Sequence, residues 1–317
     1  MKHVDLFAGT GAFSYAFQKH GAKTVFANDM LESSKAIYDL NFTDHALTCK
    51  DLNTVTPEEI PAHDILTGGF PCQPFSIAGR REGFEDARAN VFYKILEILD
   101  HHKPMCVVLE NVKNLTTHDN KNTFKVIREE LEKRGYHLIF KVLNTADITG
   151  VPQHRERIYI VGLRSKELAD AFSLDFPEVP KRSITALLDA SVPAKYYYKE
   201  GTKAWELVGP MEMKPETVYQ YRRVYIRENK SNECPTLTAN MGSGGHNVPL
   251  IKDSNGKRKL TPRECFRFQG FPDTYNLPEL ADSKLYTLAG NAVSVPVVEL
   301  LAERLMGLLK MPSNEPR

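Results

Sequence analysis

The chain of 317 residues carries 41 Lys and Arg against 40 Asp and Glu, a formal net charge of +1, with the composition of an ordinary globular protein. That length can bury a large core in one big domain or two unequal ones, and the balanced charge gives no whole-molecule argument for a polyanionic partner. Five cysteines without a Cys-x-x-Cys pair argue against a disulfide framework and a zinc site; a reducing, cytoplasmic setting is expected, with no signal peptide, no membrane association and no metal.

Residues 2–7 predict a strand, followed by Ala8-Gly9-Thr10-Gly11 and a helix over 13–20 that Gly21 ends. A second strand over 24–28 leads to Asp29, 18 residues beyond Gly11. In a doubly wound fold an acidic residue at such a distance takes the ribose hydroxyls of an adenosine cofactor, while the glycine turn lets the backbone approach it. Ser14 stands where the third glycine of Gly-x-Gly-x-x-Gly belongs, which disfavours a nicotinamide cofactor. A helix near 31–40, a buried strand over 64–67, a helix over 91–102 and a strand over 105–109 follow, the last ending in Glu110-Asn111-Val112. A helix over 122–134 precedes strands over 137–143 and 157–163. The alternation predicts an α/β fold, a doubly wound and mostly parallel sheet with helices on both faces and ligands at the carboxyl ends of its strands. Phe7, Asp29, Cys72 and Glu110 fall at such ends.

Cys72 lies in Gly68-Gly69-Phe70-Pro71-Cys72-Gln73-Pro74. Phe70 and Gln73 each precede a proline and are pushed toward extended geometry, so the thiol sits in a stiff turn, presented as a nucleophile. Past residue 181 the alternation stops, and a smaller, irregular domain of strands and loops is expected. Within it, residues 199–259 hold 11 Lys and Arg against 7 Asp and Glu, a balance suited to facing phosphates. Thr261-Pro262-Arg263-Glu264 predicts a capped helix start, and a last helix is expected over 296–310. The domains are then 1–180, completed by 285–317, and 181–284.

Six blocks stand in order along the chain: Asp5-Leu6-Phe7-Ala8-Gly9-Thr10-Gly11, Pro71-Cys72-Gln73, Glu110-Asn111-Val112, Gln153-His154-Arg155-Glu156-Arg157, Arg263-Glu264-Cys265 with Gln269-Gly270-Phe271-Pro272, and Gly290-Asn291. In these the chain resembles the cytosine-5 DNA methyltransferases of bacterial restriction-modification type. The resemblance implies the S-adenosylmethionine-dependent methyltransferase fold with a smaller target-recognition domain, S-adenosylmethionine as methyl donor and duplex DNA as substrate. By resemblance, Cys72 adds to carbon 6 of a flipped-out cytosine and Glu110 holds N3 and the exocyclic amine. Attack drives negative charge onto the ring, and a carboxyl group at N3 keeps that charge from building up. Arg155 and Arg157 match the family's arginines, with Arg155 expected at the cytosine O2.

Phe7, Ala8, Gly9, Thr10, Gly11, Asp29, Met30, Asp51, Leu52, Pro71, Asn291 and Val293 are the implied cofactor contacts. Ala12 replaces the last glycine of the family's Gly-x-Gly-Gly turn. Expected DNA contacts are Gln73, Ser76, Arg80, Arg81 and Arg88 after the nucleophile, and Arg222, Arg223, Arg227, Thr236, Asn240 and His246 in residues 181–284. A monomer is expected, with a cognate restriction endonuclease acting on the same site without a stable complex. The family's tRNA-methylating branch is the alternative, but it carries Cys-Phe-Thr where this chain has Cys234-Pro235-Thr236 and Cys265-Phe266-Arg267. A non-catalytic DNA-binding relative would lack Cys72 or Glu110.

Overall fold

Seven strands form one sheet: β1 (Lys2–Leu6), β2 (Lys23–Asp29), β3 (Thr48–Cys49), β4 (Ile65–Gly69), β5 (Cys106–Val112), β6 (His137–Asn144) and β7 (Glu156–Leu163), with short buried aliphatic runs setting β4, β5 and β7. The computed structural model describes residues 1–71, 90–222, 224–229, 231–243 and 248–310. The sheet order is β3-β2-β1-β4-β5-β7-β6. Pairs β1/β2, β1/β4, β2/β3 and β4/β5 are parallel. The winding goes outward through β2 and β3, then resumes on the other side of β1 at β4, so the carboxyl ends of β1 and β4 form the switch point where such sheets take ligands. The sequence did not reveal β3 or the direction of β7, which runs antiparallel to β5. Only residues 145–155 join β6 to β7, short of the dozen or so that a parallel crossover needs.

Val4, Leu6, Leu66, Val107, Leu109, Ile158 and Ile160 on the strands pack with Phe92, Ile95 and Leu99 of helix Asn90–His102 and Ile127 and Leu131 of helix Asn122–Glu132. The helical members recur every three or four residues, one apolar stripe per helix, and each fully buried side chain contributes about 1.5–3 kcal/mol.

The chain divides into two packing units, Met1–Leu143 with Glu156–Phe176 and Val297–Arg317, and Asn144–Arg155 with Pro177–Pro296. The packing units differ from the expected domains in three stretches, 144–155, 177–180 and 285–296, which pack in the second unit. The first and last do so for the hydrogen-bonding reasons given below. Helix Val295–Leu309 continues into the first unit, where Glu299 meets Lys19 at 2.9 Å.

The second unit contains a four-stranded sheet, order β11-β10-β8-β9, from β8 (Tyr219–Tyr221), β9 (Ile226–Glu228), β10 (Leu250–Asp253) and β11 (Gly256–Lys259). Its small core joins Val208, Met213, Tyr219 and Leu250. The capped helix start is present: Glu264 N donates to Thr261 Oγ1 at 3.2 Å and Thr261 N to Glu264 Oε2 at 2.7 Å. The same carboxylate takes both Nη groups of Arg258 at 2.8 Å, with both side chains fully buried. Among the described residues no helix is long and apolar enough to cross a membrane.

Candidate active site

Beyond β1 the chain turns through positive φ at Phe7 (55°), Gly9 (53°) and Gly11 (72°), after which helix Ala12–Lys19 begins. A bulky residue at positive φ costs on the order of 1–3 kcal/mol, so surrounding bonds must hold the turn. A Cβ on Gly11 would lie 2.3 Å from the Phe42 ring, so only glycine fits there. Buried Asp5 ties the turn from below: its Oδ2 accepts Ser14 N at 3.0 Å and Ser14 Oγ at 2.7 Å, and its Oδ1 accepts Thr67 Oγ1 at 3.0 Å. The contacts continue from Ser14 Oγ to the Tyr38 hydroxyl and on to His45 Nε2, each 2.7 Å, and from Thr67 Oγ1 to His3 Nε2 at 2.8 Å. Burial pushes the Asp5 carboxyl up to about 7 and His3 down to about 3. Asp5, Thr67 and Tyr38 are positioning residues that the sequence reading missed. The serine in place of a third glycine was the available signal, since its hydroxyl and amide both bind Asp5.

Asp29 sits at the end of β2, half-buried, its Oδ2 accepting Gly9 N at 3.0 Å and its Oδ1 accepting Leu31 N at 2.9 Å. Burial raises its pKa against these backbone bonds. Beside it Met30 is 65% exposed, a large apolar side chain open to a flat ligand. Asn28 Nδ2 donates to the carbonyls of Thr48 and Lys50 at 2.9 Å, which holds the chain leading to Asp51 against β2. Asp51 is exposed and caps a 3-10 turn, accepting Asn53 N at 3.0 Å, whereas the Leu52 side chain belongs to the core and leaves its backbone for any ligand contact. Ala8 and Thr10 are buried within the turn, and Pro71 is exposed.

At the end of β5, Glu110 pairs in register with Gly69 of β4 and with Tyr159 of β7. Its Oε1 lies 3.2 Å from Arg157 Nε, both side chains largely buried at 9% and 14% exposure. Glu156 faces the other way and holds Lys113 Nζ at 2.9 Å. Asn111 Nδ2 donates to Phe70 O at 2.9 Å, fixing the strand end that leads to the nucleophile. Cys72, Gln73, Ser76, Arg80, Arg81, Arg88, Arg223 and His246 lie outside the described residues. The four other cysteines all have thiols raised above their ordinary pKa, Cys106, Cys234 and Cys265 by full burial and Cys49 by burial and the Glu32 carboxylate.

Arg155 has a different setting. It is 2% exposed, with Nη1 on Leu237 O at 3.0 Å and Nη2 on Ala292 O at 2.8 Å and Gly290 O at 3.5 Å. Both Nη groups are thus directed at backbone carbonyls. Gln153 completes this knot, donating from Nε2 to Phe268 O at 2.6 Å and accepting Leu237 N at 3.2 Å, while Gln269 Nε2 donates to Ala289 O at 2.5 Å. A Cβ on Gly290 would lie 2.1 Å from the Thr238 backbone. These bonds gather 153–155, 236–238, 268–269 and 289–292 into one buried assembly, which explains the unit boundaries. Asn291 is exposed and Val293 half-buried at its rim.

The second unit also holds a polar groove of about 850 Å³ whose lining includes Gln220, Arg222, Arg227, Thr236, Thr238 and Asn240. Gln220 and Arg227 are cross-strand partners on β8 and β9, and Gln220 Oε1 accepts from both Arg227 Nη2 and Arg222 Nη2, the latter at 3.1 Å. Of the expected DNA contacts, Arg222, Arg227, Thr236 and Asn240 are therefore brought together.

The fold is shared with solved methyltransferases: a Dnmt2 methyltransferase of S. pombe superposes with a TM-score of 0.77 at 22% identity, covering 98% of this chain and 100% of that one. A putative DNA modification methyltransferase encoded in an E. coli prophage superposes at 0.74 and 17% identity, covering 98% and 99%. These likenesses define the S-adenosylmethionine-dependent methyltransferase fold. The C-5 cytosine-specific DNA methylase family matches residues 1–307, and the chain belongs to that family. Among type II methyltransferases, it is 47% identical to M.Bsp6I of Bacillus sp. (strain RFL6) over 309 residues, 95% of this chain and 97% of the relative. It is 39% identical to M.HaeII of Haemophilus aegyptius over 314 residues, 99% and 95% of the two chains. The protein is a DNA (cytosine-5-)-methyltransferase of restriction-modification type.

Proposed function

We propose that the enzyme methylates carbon 5 of a cytosine swung out of a short specific duplex sequence, through a transient covalent bond to Cys72. The observation that carries this reading is the Glu110–Arg157 pair at the end of β5, in register with Gly69 and so beside the strand that runs on to Cys72. The thiolate sulfur of Cys72 bonds to carbon 6, and Glu110 holds N3 so that charge does not accumulate on the ring. Arg157, rather than Arg155, orients Glu110 and takes the cytosine O2. After methylation of carbon 5, its proton leaves to a base, the carbon–sulfur bond breaks and 5-methylcytosine departs. The raised pKa values of the other four cysteines support Cys72, since a nucleophilic thiol needs a lowered one.

The residues at the β1 switch point fit S-adenosylmethionine, which when bound supplies a methyl group on a sulfonium. Gly9 leaves the turn open to a close backbone approach, half-exposed Asp29 suits ribose hydroxyls, and exposed Met30 suits an adenine face. Phe7, Ala8, Thr10, Gly11, Asp51, Leu52 and Pro71 complete that assignment, to which the family resemblance adds Asn291 and Val293. Residues 181–284 read the target, with Arg222, Arg227, Thr236 and Asn240 in the polar groove on base edges and phosphates. A cytoplasmic monomer sharing its site with a cognate restriction endonuclease completes the reading.

Duplex DNA carrying 5-fluorocytosine tests the mechanism, because fluorine cannot leave carbon 5 as a proton does. The expected result is a covalent adduct that maps to Cys72 and is absent in Cys72→Ser. An adduct on Cys49, Cys106, Cys234 or Cys265 would overturn it.

A further inference from the structure

A second groove in the same unit, of about 500 Å³, is lined by lysines and tyrosines, among them Lys195, Lys199, Lys203, Tyr197 and Tyr221. Among the described residues none that lines it is acidic, although Asp253 and Asp282 stand beside it, bonded to Tyr197 and Lys195. Lys195 is exposed, pairs with Asp282 at 2.8 Å and lies 4.9 Å from the centre of the Tyr196 ring. Lys199 and Lys203 are exposed. Tyr221 lines this groove and also the polar groove that gathers Gln220, Arg222 and Arg227. The two grooves thus share one wall on β8.

Resting on the reading of residues 181–284 as the DNA-reading part, we propose that the lysine–tyrosine groove is a second DNA contact that grips the phosphate backbone flanking the recognition sequence. Its chemistry is that of a phosphate track. Ammonium groups are common phosphate donors, and such contacts set position without reading sequence. The groove lacks the guanidinium and amide groups that discriminate base edges, which its neighbour across Tyr221 supplies. A duplex seated in the polar groove and continuing past Tyr221 would run over Lys199 and Lys203.

The test compares the wild type with a Lys199→Gln, Lys203→Gln variant, on a duplex that extends well beyond the recognition sequence and on one trimmed to it, at several salt concentrations. Each phosphate contact adds roughly 0.9 to the slope of log affinity against log salt. On the long duplex the variant should bind roughly 10-fold more weakly, with a slope smaller by about 1.8. On the trimmed duplex the two proteins should bind alike, and methylation at saturating DNA should be unchanged. Unaltered affinity and slope on the long duplex would overturn the proposal, and so would an equal loss on both duplexes, which would put the lysines on the recognition sequence itself. Methylation by the wild type in the same experiment separates this outcome from a failure of the DNA-methylating reading.

Discussion

Glu110 and Arg155 are both buried charged residues, and both come from blocks as distinctive as any in the chain, yet the two units use them in opposite ways. In the first unit, Glu110 pairs with Arg157 and stands at a strand end beside the route to Cys72. In the second, Arg155, Gln153 and Gln269 direct their hydrogen bonds at backbone carbonyls and at one another. A motif at the switch point of a sheet presents chemistry, because strand ends leave side chains facing a crevice. A motif in a unit with little regular structure is used to satisfy loop backbone groups that would otherwise be buried without partners.

The largest effect that would break this comparison concerns Glu110. Glu110→Gln keeps the shape but cannot move a proton, and should slow methylation per folded molecule on the order of 100-fold or more. Combined with Cys72→Ser it should be hardly worse than Cys72→Ser alone, as for residues that act as a unit. Near-normal turnover in Glu110→Gln would place Glu110 with the structural residues.

In the second unit the analogous change should be felt in stability. Arg258→Met strands the Glu264 carboxylate, and losing one partner of a buried pair costs about 3–5 kcal/mol. Urea unfolding should show that loss, while the methylation rate per folded molecule stays near wild type. Asp29 sharpens the comparison at the cofactor side. Asp29→Ala removes a half-buried acceptor and should weaken S-adenosylmethionine binding by about 1–3 kcal/mol by calorimetric titration; unchanged affinity in a folded variant would point to Asp51 instead.

The smallest effect lies beneath the glycine turn. Asp5, held up at about 7 against an ordinary 3.8, keeps a proton that the unfolded chain releases, so its contribution to stability is complete below the ordinary value and is lost as pH rises toward 7. His3, held down to about 3 from 6.5, works the other way: its contribution is complete above 6.5 and is lost as pH falls. Between about pH 4 and 6.5 the two trends oppose each other. Replacing by Gln both His3 and His63, which burial holds down to about 4, should uncover the Asp5 trend, a urea midpoint that falls as pH rises across that window. A flat profile in the variant would show that Asp5 is ionised throughout.

Much of the first unit was legible in the sequence. Strand and helix alternation marked the sheet, the glycine turn and Asp29 marked the switch point, and Glu110 followed from the strand before it. The direction of β7 was hidden because it depends on the length of a connection and on no residue pattern. The supports were hidden too: Asn28 reaching two carbonyls and Asp5 bonded to Ser14 and Thr67 are contacts across the sheet that no local spacing announces. In the second unit the capping box at Thr261 and Glu264 was readable as a local motif, but the pairing of Glu264 with Arg258 was not. Arg155 and Arg157, two residues apart, were indistinguishable as letters, and only their partners separate them.

That separation is tested most directly by measuring methylation rate and unfolding midpoint on Arg157→Lys and Arg155→Lys side by side. Lysine keeps the charge but lacks the flat fork of donors. Arg157→Lys should lose on the order of 100-fold in rate, as when one donor to a developing charge is removed, with its unfolding midpoint retained. Arg155→Lys should lose about 2 kcal/mol of stability, because one ammonium group cannot span three carbonyls, and keep its rate per folded molecule. A rate loss in Arg155→Lys at full stability, with Arg157→Lys active, would contradict the account.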